Sequence, residues 1–167
     1  MPVLSVEKDL DRHVMTVTAE FAAPVERVWA LYADPRRLER HWGPPGWPAT
    51  FVRHELVPGA RSHYYMSGPD GERADGMWIV REVDAPRSFV VDDAFADEQG
   101  EPKLETGFTT MRAEFVPVDP GTTRVVVTST FESAEQLQQM LDMGMEQGLT
   151  LAMGQIDGLL AEEGAQV

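Results

Sequence analysis

Hydrophobic and polar positions along this 167-residue chain change period twice. Residues 13–21, HVMTVTAEF, are rich in β-branched side chains and partly alternate, which predicts a first strand. Ala23-Pro24 then opens a helix, because a proline at the first helical position forfeits no hydrogen bond. Val25, Val28, Trp29 and Tyr32 recur at i, i+3, i+4 and i+7 and share one face. Asp34-Pro35 stops that helix, since the residue before a proline avoids the α region. Asp34 can cap a second short helix from Pro35 to about His41, and Gly43-Pro44-Pro45-Gly46 breaks it.

From residue 49 the period falls to two. Strands are predicted near 49–57, 60–67, 74–83, 87–95, 107–117 and 123–131. Pro58-Gly59, Gly68-Pro69-Asp70-Gly71, Ala85-Pro86 and Asp119-Pro120-Gly121 supply the turns. Separators this short force antiparallel pairing. The acidic stretch 96–106, with Gly100 and Pro102, reads as a mobile surface loop. Ser133-Ala134-Glu135-Gln136 fits a capping box, and one long helix is expected from there to about Glu163. Its inward stripe is Leu137, Leu141, Met145, Leu149, Ala152, Ile156 and Leu159. The expected fold is α+β, in one domain spanning 1–167 with a core of about 13–163. A curved seven-stranded antiparallel sheet carries two short helices after strand 1. The long C-terminal helix packs across the concave face.

Charge narrows the range of partners. There are 14 basic and 28 acidic residues, a net of −14, and no Lys or Arg follows Arg124. A nucleic-acid binder needs a basic footprint, and only Arg36, Arg37 and Arg40 cluster, so neither nucleic acid nor an anionic membrane is an expected partner. The absence of cysteine excludes disulfides and thiolate chemistry. No apolar run reaches the roughly 18 residues of a membrane span, and Met1 to Asp11 lacks the apolar core of a signal peptide. A cytoplasmic location is the expectation.

Candidate chemistry is sparse. Neither a phosphate-binding loop nor a nucleophile elbow occurs, and His54-Glu55 point to opposite sides of a strand and cannot chelate together. No metal or cofactor is expected. Alternation places His63 and Tyr65 on one face of their strand and Tyr64 and Met66 on the other, without fixing which face turns inward. Asp93 shares a face with Phe89, Val91 and Phe95, and Arg61 or Arg112 are its candidate ion-pair partners. The last predicted helix concentrates Met140, Met143, Met145 and Met153 beside Gly144 and Gly148. Methionine adapts to irregular shapes and glycine leaves space beside the backbone. Met140, Met143, Gly144, Leu151 and Gly154 fall off the inward stripe and suggest a homodimer patch on that helix.

Five stretches in order carry a resemblance. They are 22–44 (AAPVERVWALYADPRRLERHWGP), 57–71 (VPGARSHYYMSGPDG), Gly76 with Glu82 to Arg87, Gly121 to Val125, and the helix bearing Gly144 and Gly148. The set resembles the START-like helix-grip superfamily, also called SRPBCC. Within it, the chain is most similar to the activator of heat-shock-protein-90 ATPase homologue family in its small single-domain bacterial form. The resemblance implies a cavity between the C-terminal helix and the sheet. The expected function is non-catalytic binding of a hydrophobic or amphipathic small molecule there. Its expected lining draws on Trp29, Tyr32 and Trp42 from the first helices and on Met145, Leu149 and Met153 from the last. His63, Tyr65, Trp78, Phe95, Phe108 and Arg112 are the strand-borne candidates. The mouth is expected near the 96–106 loop or the Trp42–Trp47 turn. Two alternatives follow from relatives: a cyclase or dehydratase using His63, Asp93 and Arg112 on a polyketide-like or aromatic substrate, and a co-chaperone regulating a heat-shock-protein-90 homologue.

Overall fold

Short turns between alternating segments give one antiparallel sheet, and a computed structural model describes it over residues 3–165. The strands are β1 (Val3–Asp9), β2 (Val14–Phe21), β3 (Ala49–Arg53), β4 (Arg61–Ser67), β5 (Arg73–Asp84), β6 (Ser88–Ala96), β7 (Thr109–Asp119) and β8 (Thr122–Thr130). Their order is β1-β2-β8-β7-β6-β5-β4-β3. The sheet therefore has eight strands rather than the seven expected. The extra one, β1, is an edge strand on which only Val3 and Val6 are half-buried. Its charged, exposed positions carry no alternation, as suits a solvated edge.

Helices α1 (Val25–Ala33) and α2 (Pro35–Trp42) follow β2, and the Asp34 side chain accepts the Arg36 N–H at 2.9 Å as the cap. The apolar face of α1 packs on β7 and β8. Trp29 and Tyr32 meet Phe115 edge-on at 5.2 and 5.3 Å. Strand β3 stops at Arg53, short of the predicted residue 57. Beyond it His54 bonds the Tyr32 carbonyl and the Ser62 hydroxyl, both at 2.8 Å.

The expected single C-terminal helix is instead three: α3 (Ala134–Asp142), α4 (Met145–Gly154) and α5 (Ile156–Ala165). Ser133 caps α3 by accepting the Gln136 N–H at 3.0 Å. The Gln136 side chain accepts the Glu132 N–H at 2.6 Å and also donates to the Thr106 carbonyl at 2.9 Å. The first break is at Gly144, whose φ of 90° lies in the left-handed region that a β-carbon disfavours. At the second break, the Gln155 amide donates to the Gly43 carbonyl at 2.8 Å. Arg40 pairs with Glu162 at 2.9 Å, and Arg37 with Glu163 at 3.2 Å, tying α2 to α5.

The main core fills the concave side. Met77, Ala94 and Ala96 form a smaller cluster on the convex side, with Ile79 and Phe108 against it. The 96–106 segment covers that cluster rather than hanging free: Lys103 N–H donates to the Phe95 carbonyl at 2.7 Å, and Ala96 bridges to Pro102.

The two glycines flanking the start of α4 predict opposite effects. Gly144→Ala places a β-carbon at positive φ and costs about 1–2 kcal/mol. Gly148→Ala, in a helix with nothing within 4 Å of the new carbon, stabilises by about 1 kcal/mol. Urea denaturation of both variants checks the signs.

Candidate functional site

Breaking the helix at Gly144 leaves space beneath it. A pocket of about 340 Å³ lies between the α3–α4 junction and the concave face. The helices contribute Met140, Met143, Gly144, Met145, Gly148 and Leu149. Trp42 and Pro44 wall one side, at the end of α2. Tyr64, Met66, Asp93 and Phe95 belong to β4 and β6, while Thr109, Met111 and Ser129 come from β7 and β8. Larger hollows exist, such as one of about 590 Å³ at the β1–β2 hairpin, but that one is lined chiefly by charged side chains such as Glu7, Lys8 and Asp9. The pocket under α4 is instead walled by methionines and aromatics, with a single acid.

Strand register builds its polar end. Tyr64 pairs with Gly76, and Trp78 pairs with Asp93. A β-carbon at Gly76 would overlap the Tyr64 ring, so only glycine lets that ring lie flat across β5. The hydroxyl then reaches Asp93 on β6 and donates to Oδ1 at 3.1 Å. Trp42 stands edge-on to Trp78 at 5.0 Å and to Tyr64 at 6.0 Å. Both indole N–H groups are buried and lie close to the Tyr64 hydroxyl, yet among the described residues neither completes a hydrogen bond of good geometry. Buried donors of this kind are uncommon.

Removal from water dominates the acid–base behaviour here. Burial pushes the Asp93 carboxyl up to about 7, against the opposing pull of the Tyr64 hydroxyl, the Ala94 N–H and the Trp78 N–H. Burial and the neighbouring Asp93 raise the Tyr64 phenol well above its ordinary value. Among the described residues, no Lys, Arg or His lines this pocket. The expected ion pairs to Asp93 are not formed: Arg61 pairs with Glu101 at 3.3 Å, and Arg112 lies near Glu82 and Glu114 at 3.7 and 3.6 Å.

The structure divides the sequence candidates. Trp42, Phe95, Met145 and Leu149 line the pocket. Trp29 and Tyr32 pack against Phe89 and Phe115, away from it, and Met153 is buried in the main core. Trp78 is also core, although its N–H faces the polar end. Phe108 packs on the convex cluster. His63 faces the convex side, where its ring donates to Asp75 Oδ2 at 2.8 Å and packs under Gly100. Arg73 grips the same Asp75 and, together with the His63 bond, holds its carboxyl below the usual range. Tyr65 stacks under the Arg73 guanidinium at 4.0 Å. Of the three residues proposed for a cyclase, only Asp93 reaches the pocket.

Of the residues suggested for a dimer patch, Met140, Met143 and Gly144 line the pocket, and Met143, Leu151 and Gly154 are exposed. The lining includes Pro44, within the Trp42–Trp47 turn, and Gly107, just after the 96–106 segment. Tyr64, Met66 and Met111 were absent from the expected lining. The signal for Tyr64 was the Gly76 position opposite it, readable only once register is known. Among the described residues, no group of three His, Cys, Asp or Glu can hold a metal, and no helix is long and apolar enough to cross a membrane.

Because Asp93 has a raised value in the fold, its favourable contribution is complete below the ordinary carboxylate range. That contribution is lost as pH rises through about 7. His41 works oppositely: burial lowers it to about 4, so its contribution is lost as pH falls. The difference between Asp93→Asn and wild type isolates the first effect. The asparagine amide keeps an acceptor for Tyr64 without the charge, so the variant gains stability relative to wild type between about pH 4 and 7 and is the more stable at pH 8. Urea midpoints across that range are the check.

Comparison with known proteins places this geometry. Residues 22–161 match the family described as activator of Hsp90 ATPase homolog 1-like protein. A crystal structure from Mycobacterium smegmatis is 51% identical, with TM-score 0.88 over 95% of this chain and 97% of that one. A solution structure from Arthrobacter aurescens is 49% identical, with TM-score 0.91 over 96% and 92%. An HSP90 activator from Plasmodium falciparum shares the fold at 18% identity, with TM-score 0.58 over 89% and 96%. No functionally curated protein matches the sequence. With the helix-grip architecture and a match across most of its length, the chain belongs to the activator of Hsp90 ATPase homologue family.

Proposed function

We propose that this protein binds a small hydrophobic or amphipathic molecule, non-catalytically, in the pocket under α4. The observation that carries the reading is the pairing of an apolar wall with one polar end, the buried Tyr64 and half-buried Asp93, beside indole N–H groups that complete no hydrogen bond of good geometry. A volume of about 340 Å³ falls in the usual range for small-molecule sites. The walls supply affinity through removal of apolar surface from water, and the polar end orients the ligand. Met140, Met143 and Met145 can repack around ligands of different shape.

Native mass spectrometry of the protein, as purified and after soaking with lipid and aromatic libraries, is the test. A retained or added mass is expected. Gly148→Leu places a side chain where the helix faces open space, so it abolishes that mass without lowering Tm. Absence of any bound mass in wild type, or equal binding by the variant, contradicts the reading.

Family membership favours a second reading, a surface-mediated effect on a heat-shock-protein-90 homologue. On that reading, adding the protein raises the ATPase rate of the bacterial homologue, and Gly148→Leu raises it equally. A steady-state ATPase rate that is unchanged removes it.

A further inference from the structure

The polar end of the pocket is chemically one-sided. Asp93 meets the Tyr64 hydroxyl on Oδ1, with the Ala94 and Trp78 N–H groups nearby. Each of these neighbours favours a negative carboxylate, and none carries a positive charge. The convex-side acid Asp75 offers a contrast, for it is held by both Arg73 and His63. Asp92, next in sequence to Asp93 but facing out, has Arg81 at 2.8 Å. Asp93 alone of these three faces an apolar void, and its environment contains donors but no counter-ion.

Aromatic rings surround the same end. Tyr64 bonds the carboxylate, Trp78 pairs with Asp93 across the strands, and Trp42 and Phe95 line the pocket beside them. The chain as a whole carries a net charge of −14, which attracts cations and repels fatty acids and other anions.

The geometry points to an aliphatic or aromatic amine as the ligand class, its ammonium group paired with Asp93 at the polar end beside Trp42, Tyr64 and Phe95 and its apolar body under α4. This inference rests on the binding reading above and names the ligand for it. The ammonium supplies the missing charge. Binding therefore requires ionised Asp93, which becomes the dominant form above about pH 7. Tyr64 is the other titratable group on the lining. Among the described residues, α2, α3, α4, β7 and β8 contribute no charged side chain to it.

Isothermal titration calorimetry with three probes of one skeleton tests this: 4-phenylbutylamine, 4-phenylbutanol and 4-phenylbutyrate. At pH 8 the amine binds at least tenfold more tightly than the alcohol, and the acid binds most weakly. Lowering the pH to 6 weakens the amine about tenfold, following the ionised fraction of Asp93, and leaves the alcohol unchanged. Asp93→Asn removes the amine's advantage and retains alcohol binding. Equal affinities for amine and alcohol, a pH-independent amine preference, or a preference surviving in Asp93→Asn overturns the amine assignment while leaving the pocket as a binding site. If none of the three binds, the assignment falls together with the binding reading.

Discussion

A half-buried carboxyl group with no cation beside it, facing an apolar void, is the constraint around which this pocket is organised. Such a group is costly unless it takes up a proton or finds a partner. Asp93 uses the first route, with its value raised to about 7, and the Tyr64 hydroxyl gives it partial support. That support depends on a glycine in the strand between them, far from any obvious chemistry in the sequence. Gly76 makes the flat path for the Tyr64 ring. A larger residue there would displace the phenol and leave Asp93 without its hydroxyl donor.

The same pocket depends on the helix being interrupted. A continuous rod across the concave face would run straight through the region of Gly144, whereas α3 ends at Asp142 and α4 restarts at Met145. The left-handed glycine permits the break, and the flanking methionines fill its edges with flexible, polarisable side chains. Anchors on both sides fix the ends. Gln136 ties the start of α3 to the segment before β7, and Gln155 ties the end of α4 to the turn after α2.

Much of this was legible in the residues. Turn chemistry located seven strands, the proline and aspartate signals bounded α1 and α2, and the Ser133 capping box marked the start of α3. What escaped had physical causes. Strand β1 is a solvated edge with little to bury, so its pattern carries no period. The helix break was masked because Leu137, Leu141, Met145 and Leu149 keep their spacing through Gly144, and one glycine in a periodic segment does not announce its φ. Alternation separated Tyr64 and Met66 from His63 and Tyr65, but a two-sided strand with apolar groups on both faces does not say which side is concave. The convex cluster of Met77, Ala94 and Ala96, covered by residues 97–108, is what made both faces look buried. Alternation did put Asp93 on the face of Phe89, Val91 and Phe95, where the structure has it. Its expected arginine partners are elsewhere, because Arg61 and Arg112 find acids on the exposed side.

The most direct test of an uncompensated acid in this pocket is the ionisation of Asp93 itself. A carbon-13 NMR titration of the aspartate side-chain carboxyls, with the Asp93 resonance identified by its loss in Asp93→Asn, reads it without any ligand. The account predicts a midpoint of about 7. A midpoint in the ordinary aspartate range, near about 4, would contradict it.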